Sequence, residues 1–341
     1  MQKILIIRFS SIGDIVLTSP IIRCIKEQLK DVEIHYLTKK QYLPLVQTNP
    51  HVSKVYAWED EFSDLILKDL KAENYDFVVD LHKNLRTIKV KSRLRKKSGS
   101  FPKLNFKKWL LVNFKWDKLP DVHIVDRYFE AVKSLGVKND DKGLDFFVSI
   151  DENSFKSRFG SYEQYVTVAI GAQFATKRMP AEKLSEILSS IPIPIVLVGG
   201  PGDRDEGERI KALLPEQIIN NTCGGLSLHE SAYVIKHSLL LITHDTGMMH
   251  IASAFKLPIV SIWGNTVPEF GMYPYRPQVP HSFSIHEVKN LPCRPCSKIG
   301  FQKCPKGHFK CMIDQDVAEI QAQIDEFLGD FLLFELEKNK K

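Results

Sequence analysis

Short apolar runs alternate along the chain with stretches whose apolar positions recur every three or four residues. In the first half, Lys3–Phe9, Glu33–Thr38, Lys54–Trp58 and Tyr75–Leu81 predict strands, and Ser19–Leu29, Tyr42–Thr48 and Phe62–Lys71 predict helices between them. Ser19-Pro20 reads as an N-cap followed by proline at the first helical position, and a further helix over Ile124–Leu135 stops at Gly136. The second half repeats the scheme. Strands are predicted over Tyr165–Ile170, Ile195–Gly199, Ile218–Thr222, Leu239–Thr243 and Ile259–Trp263, and helices over Ala181–Ser190, Asp203–Leu213, Leu228–His237 and Gly247–Phe255. Strands that are apolar throughout, alternating with helices, imply a parallel sheet covered on both faces. The expected fold class is therefore α/β: two Rossmann-like, doubly wound parallel-sheet domains facing a cleft, meeting near residues 150–162. This gives an N-terminal domain over 1–155, a second over 156–315 and a C-terminal helix within 316–341, read over Asp316–Leu333 and expected to pack back across the junction. After Gly264 the pattern dissolves into a proline-rich stretch. No repeat of solenoid length appears, and the lysine-rich tail alone is of low complexity.

Bulk composition narrows the class. A chain of 341 residues exceeds one typical core, and 43% hydrophobic with 26% charged residues is ordinary for a globular protein. No apolar run reaches the length needed to span a bilayer. Strand-forming residues begin at Ile4 with no basic segment ahead of them, so no signal peptide is expected and the cytoplasm is the default compartment. Net charge is +6, but Leu81–Lys118 holds thirteen Lys or Arg against one acid, Asp117. The rest of the chain is therefore net acidic. This basic run, interleaved with Phe106, Trp109, Phe114 and Trp116, suits an anionic surface such as phospholipid, phosphorylated glycolipid or nucleic acid; a solvated helix face and loop is the plainer reading.

The segment Asp245-Thr246-Gly247-Met248-Met249-His250 carries the most chemistry. It follows an apolar strand and opens a helix, so bare N–H groups sit at a helix N-terminus, where phosphate binds. His250 lies one turn beyond Thr246 on the same face, either donating to a phosphate or bracing the loop. After the first strand comes Ser10-Ser11-Ile12-Gly13-Asp14. Gly13 permits close backbone approach, and Asp14 reads equally as a general base or as a helix cap. In Gly171–Pro180 (GAQFATKRMP), Thr176, Lys177 and Arg178 precede a helix; Lys177 suits a diphosphate, against the alternative of a surface lysine. Asp203-Arg204-Asp205 resembles a metal motif superficially but opens a helix, where acids serve the dipole; nearby Glu206 and Glu208 are weak candidates for a ribose hydroxyl. No Gly-x-Gly-x-x-Gly follows a strand and no Gly-Lys-Ser/Thr loop exists, which disfavours a dehydrogenase or P-loop enzyme. Cys293, Cys296, Cys304 and Cys311, with His308 among them, compete as a structural zinc site, but gaps of seven and six residues favour reduced cysteines in a loop. Cys24 and Cys223 read as small buried residues.

Taken together and in order, SSIGD, GAQFATKRMP, GGPGDRDEG and DTGMMHIA resemble the ADP-heptose:lipopolysaccharide heptosyltransferase family, glycosyltransferase family 9, and CRPC…CPKGHFKC looks like its second-heptosyltransferase branch. The resemblance implies a GT-B fold and an inverting, metal-independent transfer of heptose from ADP-heptose to a lipopolysaccharide inner-core acceptor, with no cofactor. It implies an acceptor-binding N-terminal domain and a nucleotide-sugar-binding C-terminal one. Asp14 and Lys177 would be catalytic. Thr176, Lys177, Asp245, Thr246, Gly247, Met248 and His250 would bind the donor; Ser10, Ser11, Gly13 and Arg86, with Arg8 close by, would serve the acceptor. The partners implied are ADP-heptose, a phosphorylated core saccharide and the inner-membrane surface, met through the basic stretch, giving a cytoplasmic protein peripheral to the inner membrane. Two alternatives stand beside this: the same fold using another sugar nucleotide, or a basic, zinc-bearing nucleic-acid-binding protein. The lack of any standard nucleic-acid module, and the confinement of positive charge to one segment, count against the last, so no nucleic-acid partner is expected.

Overall fold

The computed structural model of the protein describes residues 1–159 and 164–338. Residues 160–163, within the expected junction, and 339–341, the end of the lysine-rich tail, lie outside the described residues. The chain forms two compact units: Met1–Asn105 with Pro120–Phe147, and Phe106–Leu119 with Val148 onward.

In the first unit, strands β1 (Gln2–Ile7), β2 (Val32–Lys39), β3 (Lys54–Trp58), β4 (Phe77–Asp80) and β5 (Lys97–Ser100) form an all-parallel sheet in the order β3-β2-β1-β4-β5. Ile4 of β1 stands opposite Ile34 and Phe77 on its two neighbours. Ile4, Leu5, Ile6 and Ile7 are all fully buried, as a strand covered on both faces requires. The order reverses at β1, so the loop that follows it opens into the crevice at the carboxyl edge, where α/β sheets bind ligands. That loop carries Asp14.

The second unit repeats the construction with β6 (Val166–Ala169), β7 (Ile195–Val198), β8 (Ile219–Asn221), β9 (Leu240–His244), β10 (Ile259–Trp263) and β11 (Phe283–Glu287), again all parallel, in the order β11-β10-β9-β6-β7-β8. Alternate residues of one strand feed two different cores. Val166 and Val168 pack with Leu184, Ile187 and Leu188 of helix Ala181–Leu188 and with Ile320 and Ile324 of the C-terminal helix Val317–Lys338. Ala169 packs with Val234 and Ile235 of helix Leu228–Lys236 and with Met249. Each fully buried aliphatic side chain contributes about 1.5–3 kcal/mol, so this double coverage fixes the sheet. Here β6 and β9 are adjacent although some seventy residues separate them, and their following loops, 171–180 and 245–247, emerge side by side.

Predicted elements and observed ones agree wherever the apolar run is long. Small shifts remain: Thr18 rather than Ser19 is the N-cap of helix Ser19–Gln28, with Pro20 in its first turn. The Ile124 helix ends at Phe129, and a 3-10 turn at Lys133–Leu135 precedes Gly136, whose φ of 75° places it in the left-handed region. The sequence pattern missed β5, whose KSGS sequence has no apolar residue, and β11, an edge strand beyond Gly264. It also left unassigned helices Leu85–Leu94 and Asn105–Phe114, both inside the basic run.

Candidate functional site

Ser11 caps the short helix Ile12–Val16, and Asp14 is its third residue. The Ser11 amide and hydroxyl both donate to Asp14 Oδ2, at 3.2 and 2.9 Å. The other carboxylate oxygen faces Arg8 Nη2 at 2.5 Å. Arg8 is itself buried and held by donation to the carbonyls of Ser10 and Leu81. Burial alone would push the Asp14 carboxyl up, but the Arg8 guanidinium and the Ser11 donors outweigh it and hold the group below its ordinary value. Asp14 is thus a cap and an ionised carboxylate at once. Its side chain keeps 21% of its surface exposed, enough to meet a hydroxyl.

Arg8, Ser10, Ser11, Gly13 and Asp14 come together in this loop. Arg86, in the first turn of helix Leu85–Leu94, instead forms a two-pronged pair with Asp60, at 2.9 and 3.0 Å, and Trp58 donates to the same carboxylate. Sequence reasoning overlooked His82. Its ring lies 5.3 Å from that of Phe9, and burial, then Arg8, push its pKa down to about 3, so it is neutral.

In the second unit the adjacency of β6 and β9 brings Lys177 to Asp245. Lys177 Nζ donates to Asp245 Oδ2 at 2.5 Å and to the Asp245 carbonyl at 3.3 Å. Thr266, just beyond β10, donates to the same Oδ2 at 2.8 Å. The lysine and carboxylate keep 17% and 12% of their side-chain surface, so the pair is reachable from solvent at its edge only. Beside it, Thr246 is the N-cap of helix Gly247–Ala254 with extended backbone (φ −139°), and its side chain does not cap the first turn. The Thr246 hydroxyl lies 3.2 Å from that of Thr243. Gly247 and Met248 are partly exposed, whereas His250 is buried. A lysine, a helix N-terminus and a threonine hydroxyl are groups able to receive an anion.

Two residues that sequence reasoning did not single out, His244 and Arg294, hold this arrangement together with Thr176, which it did. His244, the last residue of β9, accepts the Met179 amide on Nε2 at 3.1 Å and so fastens the Lys177 loop to the strand. Burial, then Arg178, push its pKa down to about 4, so it is neutral. Arg294 donates to the carbonyls of Gly264 and Thr266 and pairs with Glu287 at 2.6 Å, clamping the loop that presents Thr266. Thr176 is buried, and its hydroxyl accepts the Phe301 amide at 2.8 Å and donates to the Phe301 carbonyl at 3.1 Å. That hydroxyl therefore serves the loop. Only such local contacts, invisible without the fold, distinguish it from its neighbour Lys177.

Asp203 caps helix Arg204–Leu213, accepts the Gly200 amide at 2.8 Å and pairs with Arg178 at 3.1 Å. A Cβ at Gly171 would stand 2.3 Å from its Oδ2, so only glycine lets the Lys177 loop pass. Glu206 accepts the Ala181 amide, and Glu208 accepts from Asn221. Arg178, Asp203 and Glu206 border a cavity of about 340 Å³ lined also by Ile170, Met179 and Asp205.

The cysteines form a neighbourhood of their own. Cys293 Sγ lies 3.7 Å from His308 Nε2, and Cys296 Sγ donates to the Cys293 carbonyl at 3.0 Å. Burial pushes the Cys311 thiol up to about 12, and burial, then Cys293, push Cys296 up to about 11. Among the described residues, no three His, Cys, Asp or Glu side chains converge in an arrangement able to hold a metal ion. Cys24 and Cys223 are buried, and burial raises both thiols.

Known proteins resemble this chain in sequence and in fold. Lipopolysaccharide heptosyltransferase 1 of Campylobacter coli is 27% identical over 293 residues, covering 78% of this chain and 84% of its own. The glycosyl transferase family 9 structure from Veillonella parvula superposes with a TM-score of 0.75 at 20% identity, covering 96% of this chain and 98% of its own. The Escherichia coli ADP-heptose lps heptosyltransferase II does so with a TM-score of 0.71 at 19% identity, covering 96% and 99%. These likenesses extend the GT-B architecture, two parallel-sheet α/β domains, to this chain. The sequence model of Glycosyltransferase family 9 (heptosyltransferase) matches residues 65–300, a span that includes the Lys177 loop, Asp245 and the helix it precedes, and the chain is therefore a glycosyltransferase belonging to that family.

Proposed function

We propose that the enzyme transfers a heptose, with inversion, from ADP-heptose to a phosphorylated inner-core acceptor of lipopolysaccharide, at the cytoplasmic face of the inner membrane. The observation that carries this reading is the cluster of Lys177, Asp245 and Thr266 beside the uncapped N-terminus of helix Gly247–Ala254. The relatives support it through their names, which specify lipopolysaccharide as what they act on and, for the Escherichia coli structure, ADP-heptose.

In this reading Asp14 accepts the proton of the attacking acceptor hydroxyl, while Arg8 and Ser11 fix the direction of its lone pairs. Ser10, Gly13 and Arg86 serve the acceptor side. The new C–O bond forms as the bond from the anomeric carbon to the diphosphate breaks, through an oxocarbenium-like state, and the electron pair leaves on ADP. Lys177, the Gly247 and Met248 amides and the Thr246 hydroxyl meet that growing charge. Asp245 holds Lys177 in place and hydrogen-bonds the sugar, His250 braces the helix, and Thr176 positions the loop. The scheme calls for no metal ion or cofactor.

The test is thermal shift with ADP-, UDP- and GDP-sugars, followed by ADP release on adding core acceptor. Stabilisation by ADP-heptose and acceptor-dependent ADP release are expected. Stabilisation by a UDP- or GDP-sugar, with none from ADP or ADP-heptose, overturns the donor assignment.

A further inference from the structure

A second surface is the segment Phe106–Leu119, which groups with the second unit. Four aromatic side chains stand in water there: Phe106 is 70% exposed, Trp109 48%, Phe114 51% and Trp116 61%. They touch one another in series. Phe106 stacks on Trp109 with centroids 6.1 Å apart, Trp109 meets Phe114 edge-on at 5.2 Å, and Phe114 meets Trp116 at 5.5 Å. The result is one continuous apolar patch rather than scattered exposed residues, and such patches mark contact sites.

The patch is held rigidly from beneath. Leu111, with Val112 and Leu119, packs on Val267 and Phe270. Lys115 Nζ donates to the Val112 and Pro295 carbonyls, each at 2.8 Å, and to that of Cys293 at 3.3 Å. Lys108 Nζ sits 5.2 Å above the Phe270 ring. Lys107 and Lys118 are exposed beside the aromatics, and the only acid from Leu81 to Lys118 is Asp117.

We infer that this segment docks the enzyme on an anionic phospholipid surface, with Phe106, Trp109, Phe114 and Trp116 entering the headgroup–acyl boundary and the lysines meeting lipid phosphates. Trp and Phe suit that boundary because one side chain can span its apolar and wet zones. Lysine stems lie along apolar surface while their ammonium groups stay at the phosphates. A single-stranded nucleic acid fits less well: its bases need separate open ring faces, and here Phe106 and Trp109 stack on one another. No helix among the described residues is long and apolar enough to cross a membrane, so attachment through this segment is by lying in the interface. The inference deepens the proposed action at the inner membrane without depending on which sugar is moved.

The intact protein is mixed with vesicles of phosphatidylethanolamine and phosphatidylglycerol, or of phosphatidylcholine alone, some carrying brominated acyl chains. Of its four tryptophans, Trp58 and Trp263 are buried, so bromine quenching reports on Trp109 and Trp116. Sedimentation with the anionic vesicles and quenching of fluorescence are expected. Trp109→Ser with Trp116→Ser should lower binding roughly tenfold or more, and Lys107→Glu with Lys118→Glu about tenfold, with melting temperature and calorimetric ADP affinity unchanged. The inference is overturned if wild type ignores anionic vesicles, if the serine variant binds them as well as wild type, or if these residues capture an oligonucleotide while vesicles go unbound. Because ADP affinity is read separately, failure of the donor assignment appears there and not in the vesicle arm.

Discussion

Lys177 and Asp245 are 68 positions apart in sequence, yet Lys177 Nζ lies 2.5 Å from Asp245 Oδ2. Their contact exists because β6 and β9 are neighbouring parallel strands whose loops open at the same edge. In that geometry the ammonium is already held in place, so a diphosphate bound there would spend little on ordering it.

Lys177→Ala should weaken ADP binding about 10- to 100-fold, in keeping with the loss of charge-assisted hydrogen bonds worth roughly 1.5–3 kcal/mol. Isothermal calorimetry reads this directly. An unchanged dissociation constant rejects a phosphate role for Lys177.

Asp14→Asn should keep ADP affinity and lower transfer by on the order of 10²–10⁴, the usual weight of a general base. Near wild-type turnover removes Asp14 from that role.

Arg8→Gln tests the electrostatics of the same carboxylate. In the wild type, Arg8 and Ser11 hold Asp14 below its ordinary value, so the base is already ionised well under neutral pH. Without the guanidinium, burial dominates and the carboxyl rises, so the acidic limb of the rate profile should move to higher pH. A profile that keeps its position refutes the coupling.

His244 gives a stability signature. Its folded pKa is about 4 against 6.5 unperturbed, so between these values the unfolded chain binds a proton that the folded chain does not. The stability it contributes is complete above pH 6.5 and declines as pH falls toward 4. From pH 7 to 5 the loss amounts to roughly 2 kcal/mol. His244→Gln keeps an acceptor for the Met179 amide and should remove that part of the pH dependence. Urea midpoints of both proteins at the two pH values measure the difference, and identical slopes exclude the assignment.

Gly264→Ala should destabilise the protein by about 1–3 kcal/mol through overpacking. A Cβ there would meet the Thr176 carbonyl at 2.7 Å and the Met312 methyl at 2.6 Å. Thermal unfolding tests this, and a change under about half a kcal/mol shows that the loop yields.

The strands read clearly from the sequence because each central one is apolar on both faces, as Ile4–Ile7 and Ile259–Trp263 illustrate. β5 did not, because an edge strand of Lys, Ser and Gly has nothing to bury on one side. That the Asp245–His250 motif opens a helix was legible, since an N-cap threonine and a glycine are local signals. What surrounds it was not. Thr266, Arg294 and His244 act through contacts set by strand order, and no linear spacing encodes that β6 neighbours β9. Thr176 shows the same limit: its place beside Lys177 suggests a ligand contact, and no linear signal shows that its hydroxyl is engaged by the Phe301 backbone.

The polypeptide leaves its first compact unit at Asn105, returns at Pro120 and departs again after Phe147. No single cut can therefore sever the molecule into two self-sufficient halves. A fragment ending at Phe147 would carry the aromatic segment without Val267 and Phe270 to seat it, and the complementary fragment would expose those two residues. Dissection into halves is expected to yield sticky products unless residues 106–119 are excised from one piece and spliced onto the other.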